Sequence, residues 1–215
     1  MDRIKLYLIR HGQTDWNLEG KIQGCHDISL NEMGKKQAEL LAEGMKKRPI
    51  TEIFSSRQKR ALETAQAIGC SQEAKVTVID GLEEVEFGKW EGMTWDEISR
   101  EYPREFEIWC TEPSKITPPG GESRPEIYKR IRRALKEIVE RAKGDTAIVS
   151  HGAALAYMVS VMLEKDLGSH DEIIVKNVSI STVEYDRETG RYTILEANDV
   201  SHLEKLSQEE GQVRF

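Results

Sequence analysis

Residues 4–9 form an almost unbroken apolar run, which predicts a strand covered on both faces. Residues 31–47 follow another period. Ala38, Leu41, Ala42 and Met45 fall at i, i+3, i+4 and i+7, and predict a helix with one apolar face. A short strand over 52–54, a second amphipathic helix over 58–68 and a third strand over 76–79 follow. Residues 125–143 return to helix, with Ile127, Ile131, Ala134, Leu135, Ile138 and Ala142 on one side. A fourth strand is expected over 147–149. Residues 152–163 are apolar almost all round and predict a buried helix. The stretches 178–185 and 191–197 predict two strands joined by DRETG, a length and composition that suit a hairpin.

Strands alternating with helices imply an α/β fold: a three-layer, doubly wound, mainly parallel sheet with helices on both faces and a C-terminal β-hairpin. The chain of 215 residues suits one domain over 1–215. Residues 89–125 break the pattern. Five of the six prolines lie between Pro103 and Pro125, and three of the four tryptophans between Trp90 and Trp109. Short helices are expected over 94–110, followed by the loop TEPSKITPPGGES. Such an insertion after the third strand reads as a lid or binding loop, or as a surface excursion packed by its own aromatics.

Charge narrows the function classes. The net charge of −7 and pI of about 5.4 argue against a nucleic-acid binder or an anionic-membrane binder, though not against a local positive pocket. Cys25, Cys70 and Cys110 are odd in number and lack a C-x-x-C pair, so neither a disulfide framework nor a structural zinc site is expected. The N-terminus lacks a secretory pattern, and the most apolar stretch, 153–163, is too short to span a bilayer. A cytoplasmic location is expected.

Chemistry concentrates where two apolar runs end in His-Gly. His11 and His151 each stand just past a strand's carboxyl end, the edge at which doubly wound sheets bind ligands. If the two strands are neighbours, the imidazoles converge. The glycine after each allows close backbone approach to a ligand. Arg10 adjoins His11, and Arg60 opens the helix after the Ser55-Ser56 turn. Two arginines and two histidines at one edge of an acidic protein make a cationic pocket for a small dianion, most simply phosphate. Work on a phosphomonoester also needs a carboxylate. GLEEVEFGKWEG offers Glu83, Glu84, Glu86 and Glu91, and spacing does not choose among them.

The segments LIRHGQTDWN, IQGCHDISLNEMGKKQA, SSRQKRALETA, LEEVEFGKWEG, PGGES and VSHG, in this order, resemble the histidine phosphatase superfamily, with its phosphoglycerate-mutase-like fold. The resemblance spans nearly the whole chain. It implies that His11 is the nucleophile that becomes phosphohistidine, and that Arg10, Arg60 and His151 clamp the phosphoryl oxygens. Asn17, Gln23 and Gly152 are further phosphate contacts on this basis, and Glu84 is the proton donor. It implies hydrolysis of a small-molecule phosphomonoester with no metal and no cofactor. The short chain, and Glu83-Glu84-Val85-Glu86-Phe87-Gly88 in place of an N-E-R-x-Y-G type motif, resemble the phosphatase branch, including broad-specificity and alpha-ribazole phosphatases. Two rival readings stand beside it: a phosphoglycerate-type mutase and a catalytically retired phospho-ligand binding module. His202 is expected at the surface or, less simply, at the site; His26 and His170 are expected at the surface. Oligomeric state, a homodimer included, is left open.

Overall fold

A computed structural model describes residues 2–164, 175–204 and 206; His170 lies outside them. Strands β1 (Arg3–Arg10), β2 (Glu52–Ser55), β3 (Lys75–Val78) and β4 (Thr146–Ser150) are parallel. β5 (Ile180–Asp186) and β6 (Arg191–Asp199) form an antiparallel hairpin laid on β1. Among the described residues these make one six-stranded sheet in the order β3-β2-β4-β1-β5-β6. The helices are α1 (Asp15–Leu18), α2 (Glu32–Met45), α3 (Lys59–Gln72), α4 (Trp95–Glu101), α5 (Pro103–Thr111), α6 (Arg124–Arg141) and α7 (Gly152–Met162).

The period of two in each strand divides the interior into two cores. On β1, Leu6 and Leu8 face one core with Ile131 and Ile138 of α6 and Leu155 and Met158 of α7. Tyr7 and Ile9 face the other, with Leu41 and Met45 of α2 and Ala65 and Ile68 of α3. The sheet is therefore covered on both faces, which accounts for the unbroken apolar run. α7 is apolar all round for a different reason. Ala154, Leu155, Met158 and Val159 pack into the core, while Ala153, Ala156, Tyr157 and Ser160 wall a cavity.

β1 and β4 are immediate neighbours: Arg10 pairs with Ser150, and the His11 N–H donates to the Ser150 carbonyl at 3.0 Å. The condition for converging imidazoles is met. The aromatic and proline-rich segment is tied down at both ends. Ile22 N–H donates to the Met93 carbonyl at 2.9 Å, and Gly92 N–H to the Ile22 carbonyl at 2.8 Å. Lys89 N–H donates to the Pro119 carbonyl at 2.9 Å and Glu122 N–H to the Glu86 carbonyl at 2.8 Å.

One expectation fails here. His202 is not a surface side chain: the short helical turn Ser201–Leu203 packs on α2, and the ring nitrogens lie buried. Gly44 makes the room, since a Cβ there would sit 2.7 Å from the His202 Cβ. Nor is His202 at the cavity.

Candidate active site

The loop after β1 uses its polar residues to hold its own shape. Thr14 caps α1, and its N–H donates to Asn17 Oδ1 at 3.1 Å in a reciprocal capping box. The Asn17 oxygen is thereby committed within the loop, and the Asn17 side chain lines the cavity. The Asn177 amide reaches across to the His11 carbonyl at 2.9 Å. Gly12 serves protein packing. A Cβ at Gly12 would sit 2.6 Å from the Gly34 carbonyl oxygen at the start of α2. At Gly152 an added Cβ would meet the Arg10 guanidinium at 3.5 Å, an ordinary contact.

His11 is 1% exposed and its Nδ1 lies 2.7 Å from the Gly12 carbonyl oxygen. A carbonyl only accepts, so Nδ1 carries the proton and Nε2 keeps its lone pair. Burial first, then Arg10 and Arg60, holds this imidazole well below its ordinary pKa, opposed in part by the bond to Gly12. The neutral form needed of a nucleophile follows, with desolvation rather than neighbouring charge as its main cause.

Arg60 is fully buried yet lines the cavity. Its Nε–H donates to His151 Nδ1 at 3.1 Å, and its two η nitrogens donate to the His26 carbonyl at 2.6 Å and the Gly24 carbonyl at 2.9 Å. A guanidinium has five donors, so one on each η nitrogen remains, a fork suited to two phosphoryl oxygens. Among the described residues Arg10 donates to the Val175 carbonyl at 2.6 Å, and its buried Nε finds no partner there. Burial lowers the pKa of both arginines and Glu84 offsets it, but guanidinium stays charged at any working pH.

His151 departs from the expected direct clamp. It is buried and is not part of the cavity lining. Its Nδ1 accepts from Arg60, so its Nε2–H donates to Ser56 Oγ at 2.9 Å. It stands behind His11, with ring centroids 5.2 Å apart, and orients Arg60. Its pKa is also held well below normal, by burial and then by Arg60.

The four candidate glutamates separate cleanly. Glu83 pairs with Arg57 and accepts from Gly81 N–H, and Glu86 is exposed. Glu91 accepts from the N–H groups of Cys25 and Phe87 and from the Cys25 thiol, whose pKa it pushes up to about 11. Glu84 alone lines the cavity. Its carboxylate accepts from Ala154 N–H at 2.9 Å and Ala153 N–H at 3.3 Å, at the positive end of α7.

Sequence reasoning missed Gln58. It is buried, its Oε1 accepts from Glu84 N–H at 2.8 Å, and its Nε2 donates to the Gly24 carbonyl at 2.9 Å. One side chain thus joins the Glu84 loop to the carbonyl that Arg60 also grips. Its place at the start of a charged helix has no periodic signal; the residue type, an amide where a cap is usual, is the one available clue.

The cavity has a volume of about 430 Å³. Arg10, His11, Asn17, Gln23, Arg60 and Glu84 line its inner end; Gly152 opens α7 beside them. Trp95, Trp109 and Pro113 come from the inserted segment. Among the described residues, no group of three His, Cys, Asp or Glu side chains is placed to hold a metal ion, and no helix is long and apolar enough to cross a membrane.

An imidazole with a free Nε2, two guanidiniums and a carboxylate lining one cavity are the equipment of phosphoryl transfer. The chain belongs to the histidine phosphatase superfamily (branch 1), whose pattern it matches over residues 6–199. It is 35% identical over 201 residues to phosphoserine phosphatase 1 of Hydrogenobacter thermophilus, covering 93% of this chain and 94% of that one. It is 34% identical over 219 residues to the probable phosphoglycerate mutase GpmB of Salmonella choleraesuis, covering 97% and 99%. A phosphoserine phosphatase from Entamoeba histolytica, solved in complex with phosphoserine, superposes with a TM-score of 0.80 at 32% identity over 93% of this chain and 98% of that one. The protein is an enzyme of the phosphomonoester hydrolase class.

Proposed function

We propose that the protein hydrolyses small-molecule phosphomonoesters through a phosphohistidine, without a metal ion. His11 Nε2 attacks phosphorus as the ester P–O bond breaks, and Glu84 gives its proton to the departing oxygen. Water then attacks the phosphohistidine, Glu84 takes a proton back, and the N–P bond breaks to free His11 and phosphate. Arg10 and Arg60 neutralise the equatorial oxygens, the part a metal plays elsewhere. His151 fixes the Arg60 fork, and Asn17, Gln23 and Gly152 complete the phosphate seat. The observation that carries this reading is the His11 Nδ1–H bond to Gly12, which leaves Nε2 as the free nitrogen at the cavity. Three exposed, unpaired thiols fit a reducing, cytoplasmic setting.

The test is p-nitrophenyl phosphate hydrolysis in EDTA. Full turnover, an acid-labile and base-stable phosphoenzyme, and loss of both in His11→Ala are expected. Activity that dies on chelation and returns with added metal, or near wild-type kcat in His11→Ala, overturns the mechanism. The relative named as a probable phosphoglycerate mutase favours isomerisation as the second reading. Phosphate release from phosphoglycerate without isomerisation decides for the hydrolase.

A further inference from the structure

The phosphate seat occupies only the inner end of the cavity. α7 walls it from Gly152 to Ser160, a rise of about 12 Å at the usual helical spacing. Phosphoserine spans four bonds from phosphorus to its carboxyl carbon, roughly 5 Å. The volume of about 430 Å³ is that of a pocket for a much larger ligand.

The outer walls tell what kind of group would fill the rest. Trp95 and Trp109 of the inserted segment line it, stacked at 27° with centroids 6.2 Å apart. Trp109 is braced edge-on by the fully buried Trp90 at 5.4 Å. Tyr157, Ala153 and Ala156 line it from α7, Tyr157 braced edge-on by Tyr128 at 5.5 Å. Of the two outer cations, Lys21 is engaged by Glu19 at 2.6 Å, and the Arg124 guanidinium lies 5.8 Å from the Tyr157 ring.

Building on the phosphatase reading, we propose that the outer half of the cavity is a subsite for a flat, apolar alcohol group larger than serine's, seated between Trp95 with Trp109 and Tyr157. The preferred substrate class is then a phosphomonoester of an aryl-bearing or similarly flat alcohol. Trp95 is the specificity-determining residue at the mouth, where it is 42% exposed.

Phenethyl and ethyl phosphate test this, because both release primary alkoxides and differ in apolar surface, not in leaving-group chemistry. A kcat/KM ratio of about tenfold or more in favour of phenethyl phosphate is expected from burying the ring. Trp95→Ala lowers the ratio at least threefold and Trp95→Phe keeps most of it. A wild-type ratio near one, or a ratio untouched by Trp95→Ala and by Tyr157→Leu, overturns the subsite. So does phosphoserine outpacing phenethyl phosphate with that preference lost in Arg124→Gln, which assigns the outer half to a carboxylate. Should no ester turn over, the phosphatase reading falls, while calorimetric binding of phenethylphosphonate against ethylphosphonate still decides the subsite by the same ratio.

Discussion

At the residue scale the chemistry rests on which group holds which proton. His11 and His151 are neutral, with opposite tautomers, each set by one neighbour: the Gly12 carbonyl for the first, the Arg60 Nε–H for the second. Glu84 stands on backbone N–H groups of α7, and Gln58 grips its own N–H. A general acid matters most when the leaving group is poor, so with Glu84 in its proposed role Glu84→Gln is expected to slow ethyl phosphate cleavage by about 100-fold or more in single-turnover bursts. It slows the p-nitrophenyl phosphate burst far less. Gln58→Leu, which loosens the carboxylate without removing it, shows the same leaving-group dependence at a smaller size, while Gln58→Glu keeps an acceptor for the Glu84 N–H and loses only the donor to the Gly24 carbonyl. Wild-type behaviour of Glu84→Gln, with the dependence appearing instead in Glu86→Gln, moves the acid to Glu86.

At the element scale the site depends on one close approach. α2 begins against the loop after β1: a Cβ on Gly34 would sit 2.0 Å from the Gln13 carbonyl oxygen. Gly34→Ala must therefore push α2 from that loop, which carries His11. A stability loss of about 1–3 kcal/mol by urea unfolding is expected, with kcat falling more than KM rises; wild-type kcat in this variant refutes the idea that α2 braces the proposed nucleophile. This dependence also marks where the sequence stops being readable. Strand ends, helix faces and the His-Gly pairs are written in apolar period and residue type, so β1, β4, α2, α6 and α7 were legible, and so was the convergence of charge at one edge. Strand order was not, because pairing of β1 with β4 depends on crossovers that leave no local trace. The η nitrogens of Arg60 and Arg10 donate to the carbonyls of Gly24, His26 and Val175, and a peptide carbonyl has no sequence signature. The burial of His202 depends on Gly44, far away in the chain. The tryptophans looked alike in sequence, yet Trp90 is core while Trp95 and Trp109 wall the cavity.

At the scale of the whole molecule, building a site from buried histidines ties stability to pH. The pKa of His11 and His151 is held well below 6.5 by burial and by Arg10 and Arg60, and that of His202 is lowered by burial against the opposing pull of Asp199. A group whose folded pKa is depressed binds its proton first in the unfolded chain. Its contribution is therefore complete above pH 6.5 and is lost as pH falls through that value toward the folded pKa. Each such histidine adds a slope of about 1.4 kcal/mol per pH unit in that window. The paired carboxylates Asp186 and Asp199, whose pKa is lowered, stay ionised there and add little. Urea unfolding at pH 7.5, 6.5 and 5.5 is expected to show stability falling with growing slope below 6.5. His151→Gln, which keeps an acceptor for Arg60 but cannot titrate, starts lower at pH 7.5 and falls less steeply. Catalysis behaves otherwise: because His11 stays neutral until the folded pKa is reached, kcat/KM holds below pH 6.5, in a range where the fold is already losing free energy. A flat stability profile from 7.5 to 5.5, or a slope unchanged in His151→Gln, contradicts the buried neutral imidazoles from which the site is built.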